Sequence, residues 1–103
     1  MNIVNLIKKY NNSAIDAKAR NEIHLIRIIN MIISELSEKE STKIIDSDRM
    51  MLIKMSHDFY SPDVNEQKRE ECLNGIIRLL VIYSEGENDI QNIETELSKL
   101  VRV

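Results

Sequence analysis

From Leu25 to Ile33 the chain is apolar at every position except Arg27 and Asn30. A helix that is apolar nearly all round needs neighbours on most sides, so residues 23–36 read as the central helix of a small bundle. Ahead of it, Ile3, Ile7 and Tyr10 share one helical face. They predict a short helix over about 2–10, with Asn2 as cap and Lys8 and Lys9 in the last turn, where cations oppose the dipole favourably. Asn11-Asn12-Ser13 reads as a polar break, and Ser13 as the cap of a second helix over about 14–40. At 1.5 Å per residue that helix is roughly 40 Å long, so a bend or break is expected near residues 16–21.

A third helix is expected over about 47–60, capped by Asp46 or Ser47, with Leu52, Met55 and Phe59 on its inner line. Ser61-Pro62-Asp63 then reads as a helix start: a cap, proline at the first helical position and an acid in the first turn. The fourth helix, over about 62–84, is polar in its first half and apolar in its second, except for Arg78. The apolar half, residues 76–83, matches the central stretch in composition and is expected to be its mate, the two forming an inner pair. Asn74-Gly75 sits at the changeover and reads as a close helix crossing, a kink or a hairpin turn. Gly86 reads as a helix stop. Ile90, Ile93, Leu97 and Leu100 then give an amphipathic helix over about 89–101, with its acids early and its bases late. The whole is an all-α fold, one domain over residues 1–103 with four to five helices.

Composition supports long elements with few turns. There are two glycines and one proline, where a sandwich or barrel needs a turn every 8–12 residues. The apolar fraction of 43% and the charged fraction of 30% fit a globular chain that can bury a core. Cys72 is the single cysteine, so no intrachain disulfide forms and a reducing, cytoplasmic setting is expected. No basic segment precedes a long apolar run at the start, and the apolar clusters fall short of a membrane span.

Charge is uneven along the chain. Residues 1–27 carry five basic and two acidic groups, a balance of +3, and the remainder carries nine basic and fifteen acidic groups, a balance of −6. An acidic chain binds nucleic acid poorly, because neutralising phosphates needs clustered Lys and Arg. It suits a basic protein partner better, although mild acidity also simply keeps a protein soluble.

Candidate chemistry is sparse. His24 and His57 lack a second His or Cys at helical spacing, so neither forms a metal face. His57-Asp58 resembles a base and its orienter, but adjacent helical residues do not face each other. Glu70 and Glu71 lie in a run of seven polar residues and read as a solvated face. Those acids sit just before Cys72, where they raise its pKa and leave a structural cysteine. The glycines stand alone, so no phosphate loop exists, and four aromatics are too few for an RNA platform. No catalytic residue, cofactor or metal is assigned.

What remains points to recognition. Met51 lies off the 52–55–59 line and is the methionine expected to be exposed. Glu66, Glu70, Glu71, Glu85, Glu87 and Asp89 are the acids expected to steer a basic partner. Arg27 and Arg78 each interrupt an apolar run and are expected either to snorkel or to serve an interface or an anion. The abundance of apolar surface favours a homodimer or a constitutive partner. The expected role is therefore non-enzymatic: binding a partner protein to inhibit, neutralise or escort it, as immunity proteins, antitoxins and secretion chaperones do. The alternatives are a helix-turn-helix regulator at the Ser61-Pro62 turn, or a small enzyme with an anion site at a dimer interface.

Overall fold

The computed structural model describes residues 3–13, 23–38, 43–84 and 89–101. Within them the chain is all-helical: α1 (Ile3–Ser13), α2 (His24–Glu38), α3 (Asp46–Phe59), α4 (Glu66–Tyr83) and α5 (Asp89–Val101). Helices α2, α3, α4 and α5 pack around a common core in that cyclic order, and α1 lies across α5 and α2. The radius of gyration, 13.0 Å, is that of a tightly packed chain of this length.

The cyclic order corrects the expected inner pair. Helix α2 packs on α1, α3 and α5, and α4 packs on α3 and α5, so the two stand diagonally across the bundle. Nor is α2 apolar all round. His24, Leu25, Ile28, Ile29, Ile32, Ile33 and Leu36 are buried and cover about half the circumference. Arg27, Asn30, Met31, Ser34 and Glu35 occupy the exposed half. The same division holds along α4, where Cys72, Leu73, Ile76, Ile77 and Leu80 face inward. Arg78 and Ile82 face outward. The apolar surplus read from the sequence is thus largely absorbed within one chain, at roughly 1.5–3 kcal/mol per fully buried Ile or Leu. On α5, Ile93, Leu97 and Leu100 are buried as expected, but Ile90, on the same line, is exposed.

The helix ends differ from expectation where a polar residue does a different job. Helix α1 runs on to Ser13 because Asn11 is no break: its amide donates to the Glu96 backbone oxygen at 3.2 Å and to Glu96 Oε1 at 3.0 Å. Helix α4 begins at Glu66 and not at Pro62. Ser61-Pro62-Asp63-Val64 is a turn closed by the Val64 N–H on the Ser61 oxygen at 3.2 Å, with proline at its second position. Asn65 is the actual cap, accepting from the Lys68 N–H at 2.8 Å. Helix α3 begins at Asp46, and its cap position, Ile45, supplies no side-chain hydrogen bond. The expected start of the second helix, near residues 14–21, lies outside the described residues.

Tyrosines take over part of the capping. The Tyr60 hydroxyl accepts from the Leu25 N–H at 3.0 Å, satisfying an orphan donor in the first turn of α2. The Tyr10 hydroxyl meets His24 Nδ1 at 2.7 Å, tying α1 to the same helix start. The Tyr83 hydroxyl accepts from the Ile45 N–H and donates to Asp48, so the end of α4 holds the beginning of α3.

Asn74 and Gly75 lie within the continuous helix α4, which overturns the hairpin and supports the close crossing. A Cβ on Gly75 would stand 2.5 Å from Met55 Sδ, so the missing side chain leaves room for the end of the Met55 side chain of α3 against α4.

Candidate functional site

The antiparallel α3–α4 pair exposes more apolar surface than any other part of the described chain. Ile45 is 58% exposed, Met50 65%, Met51 51% and Ile82 69%. Three of them lie toward one end of this pair. Ile45 and Asp48 both touch Tyr83, Ile82 adjoins Tyr83, and Met51 lies one helical turn beyond Asp48. Met50 and Ile53 continue the surface around the outer side of α3. Such side chains gain nothing from this fold by being apolar, and exposed apolar side chains at one end of a molecule are available for contact with a partner. Met51 is therefore where the sequence places it, outside the core. Met55 and Phe59, on the inner line, are half-buried.

Tyr83 is the anchor of this end. Burial pushes its pKa up, and the hydrogen bond to Asp48 adds to the rise against the opposing Ile45 N–H. Neither Ile82 nor Tyr83 stands out in the sequence as a site residue. The signal was the phase of α4: Cys72, Ile76, Leu80 and Tyr83 step inward by three and four, which turns Arg78 and Ile82 to the outside.

The acidic candidates separate into several groups. Glu66, Glu70 and Glu71 are exposed on the first half of α4. Glu66 stands 3.7 Å from Arg69, and Glu71 stands 3.8 Å from Lys68. Two of the three local negative charges are accordingly offset, and the two cations of the helix-turn-helix alternative already have carboxylates beside them. Glu85 and Glu87 lie outside the described residues, and Asp89 opens α5.

Arg27 and Arg78 are both exposed, and among the described residues neither has a carboxylate within ion-pair distance. They sit on diagonal helices, so within one chain they do not share a site. Each has an exposed apolar residue one turn away, Ile23 and Met31 around Arg27 and Ile82 beyond Arg78.

The remaining titratable residues serve the scaffold. His24 is buried in an edge-to-face contact with Tyr10, ring centroids 5.7 Å apart, and His57 is exposed in the last turn of α3. Asp58 does not orient His57 but pairs with Lys54 at 2.7 Å. Cys72 is buried, and burial is the main reason its pKa is raised. The facing Asp58 comes next, Lys68 and Lys54 oppose it, and Glu71 contributes least. Its preceding acid is therefore a minor cause, contrary to the reading from sequence.

Glu96 is the residue that sequence reasoning missed most. The sequence places it among the early acids of the last helix, where acids suit the dipole, yet it is buried, only 7% exposed. Burial alone would raise its pKa, but hydrogen bonds from Lys99 at 3.0 Å and from Asn11, with the charges of Lys99 and Lys8, outweigh burial and hold it low. The signal was its place three residues after Ile93 and four before Leu100, on the inward arc of α5.

Among the described residues, no three His, Cys, Asp or Glu side chains gather as a metal site, and no helix is long and apolar enough to cross a membrane. No protein-family model, curated protein or solved structure matches the chain.

Proposed function

We propose that this chain is a non-enzymatic protein-binding module that inhibits, neutralises or escorts a partner protein. The observation that carries this reading is the cluster of exposed apolar side chains at one end of the α3–α4 pair: Ile45, Met50, Met51 and Ile82. Methionine and isoleucine there supply adaptable apolar contact area, the kind of surface that re-packs against a partner. The acids Glu66, Glu70 and Glu71 contribute the lesser part, steering toward a basic partner, since Lys68 and Arg69 offset much of their field.

The test is affinity capture from the native host with the wild type, with Met51→Asp/Ile82→Asp, and with a control substitution on the exposed side of α5, Glu94→Lys. A partner held by the wild type and the control but lost by the double variant, with its unfolding midpoint unchanged, is the expected result. A partner held equally by all three, or no partner in any capture, overturns the reading.

A further inference from the structure

The charged side chains of α4 fall into two sets. Glu66 with Arg69 and Lys68 with Glu71 neutralise one another within a turn. Glu70 and Arg78 are left. Both are exposed, and among the described residues neither has an opposite charge within ion-pair distance. They are eight positions apart, about 12 Å along the helix axis, too far to pair with each other. Asn74, also exposed, stands midway between them.

Glu70, Asn74 and Arg78 step by four and form a single ridge. Two ridges of this type interdigitate when helices cross at about 50°, the commonest packing class. Among the described residues no helix covers this ridge, because α3 and α5 take the opposite side of α4 through Cys72, Leu73, Ile76, Ile77 and Leu80. Charges of opposite sign at equal distances from a centre are what a twofold contact needs, because the same patch must complement itself. A twofold axis at Asn74 sets Glu70 of each copy against Arg78 of the other.

We propose that a second copy of this chain docks on this face, α4 against α4 and antiparallel, through two Glu70–Arg78 ion pairs around an Asn74–Asn74 contact. Ile82, 69% exposed and one turn beyond Arg78, extends the ridge with apolar surface. A contact built from one helix per copy falls below about 1,200 Å² of total buried area, in the class of weak and reversible associations. This self-contact rests on the outward face of α4, and it shares only Ile82 and the steering acid Glu70 with the partner site proposed above.

The experiment is sedimentation equilibrium of the full chain at concentrations up to about 1 mM and at low and high salt. The wild type is compared with Glu70→Arg, Arg78→Glu, the exchanged double variant Glu70→Arg/Arg78→Glu, and Glu38→Arg as a control of equal charge change. The expected result is a salt-sensitive wild-type dimer, weakened about tenfold or more by each single reversal, restored by the exchange and unaffected by the control. All three positions substituted are exposed, and circular dichroism checks that each variant is folded. A wild type that stays monomeric throughout, single reversals without effect, or an exchange that fails to restore the dimer each overturns the proposal.

Discussion

The α1–α5 seam and the α3–α4 seam are closed by opposite means. The first buries a charge. Glu96 of α5 lies against α1 and takes hydrogen bonds from Asn11 and Lys99. The second removes a side chain, so that Met55 lies on Gly75, and holds its far end with the Tyr83 hydroxyl on Asp48. Around the first seam Ile3, Ile7, Ile93 and Leu97 are fully buried. Around the end of the second, Ile45, Met51 and Ile82 stand in the open. A buried, fully partnered carboxylate has work to do within the fold, since leaving it unpaired is costly. An exposed isoleucine has none. The contrast separates side chains that specify this structure from side chains available to something outside it.

The largest effect comes from cutting into the sealed seam. Leu97→Ala removes a fully buried side chain at the point where α5 meets its neighbours and is expected to cost about 3 kcal/mol in urea unfolding. Ile82→Ala, at the open end, is expected to stay within about 0.5 kcal/mol of the wild type. An Ile82 variant as damaging as the Leu97 one would erase the distinction.

The next effect is electrostatic. Asn11→Ala takes a donor from the buried Glu96 carboxylate and is expected to cost about 1–2 kcal/mol at neutral pH. The acid side of the pH profile sharpens this. Folding lowers the Glu96 pKa below its ordinary 4.5, so its stabilisation is complete above that value and is lost as pH falls through the lower folded value. Glu96→Gln is expected to flatten this acid limb of a stability profile between about pH 5 and pH 2.

A smaller effect tests the close crossing. Gly75→Ala is expected to be nearly neutral in the wild type, because the flexible end of Met55 must shift and this offsets the better helix propensity of alanine, about 1 kcal/mol. In a Met55→Ala background the same substitution should become stabilising, as the better helix propensity of alanine is released. A double-mutant cycle without coupling would mean that Met55 does not sit against the glycine.

The smallest effect lies at alkaline pH. The Tyr83 pKa is raised above its ordinary 10.0, mainly by burial and by Asp48, so its contribution is present below pH 10 and is lost as pH rises through the folded value. Tyr83→Phe is expected to remove this alkaline loss, read as a shallower fall of the unfolding midpoint above pH 10.

Helical class and inward lines were legible because a 3.6-residue period survives in almost any context. Leu52, Ile76, Leu97 and Leu100 are buried where spacing puts them. Boundaries were less legible because one residue type serves two purposes. Ser61-Pro62-Asp63 suits a helix start and a turn equally, and Asn65, one of many asparagines, decided between them by capping Lys68. Asn11 looked like a break because its partner, Glu96, lies 85 positions away. Capping by Tyr60 and Tyr83 was invisible for the same reason: the hydroxyls reach helix starts 35 and 38 positions distant. At the candidate site, the exposure of Met51 followed from phase alone. The exposure of Ile82 was hidden because residues 76–83 were read as one apolar block and not as a helix with two sides.

The most direct test places a photo-reactive amino acid in the full chain at position 51 or 82, and at positions 91 and 94 on the exposed side of α5, in the native host. A discrete cross-linked partner protein from 51 and 82, and none from 91 and 94, is the expected result. Cross-links of equal yield from both sides of the molecule, or from α5 alone, would contradict the claim that the open end of the α3–α4 pair is the surface by which this protein acts.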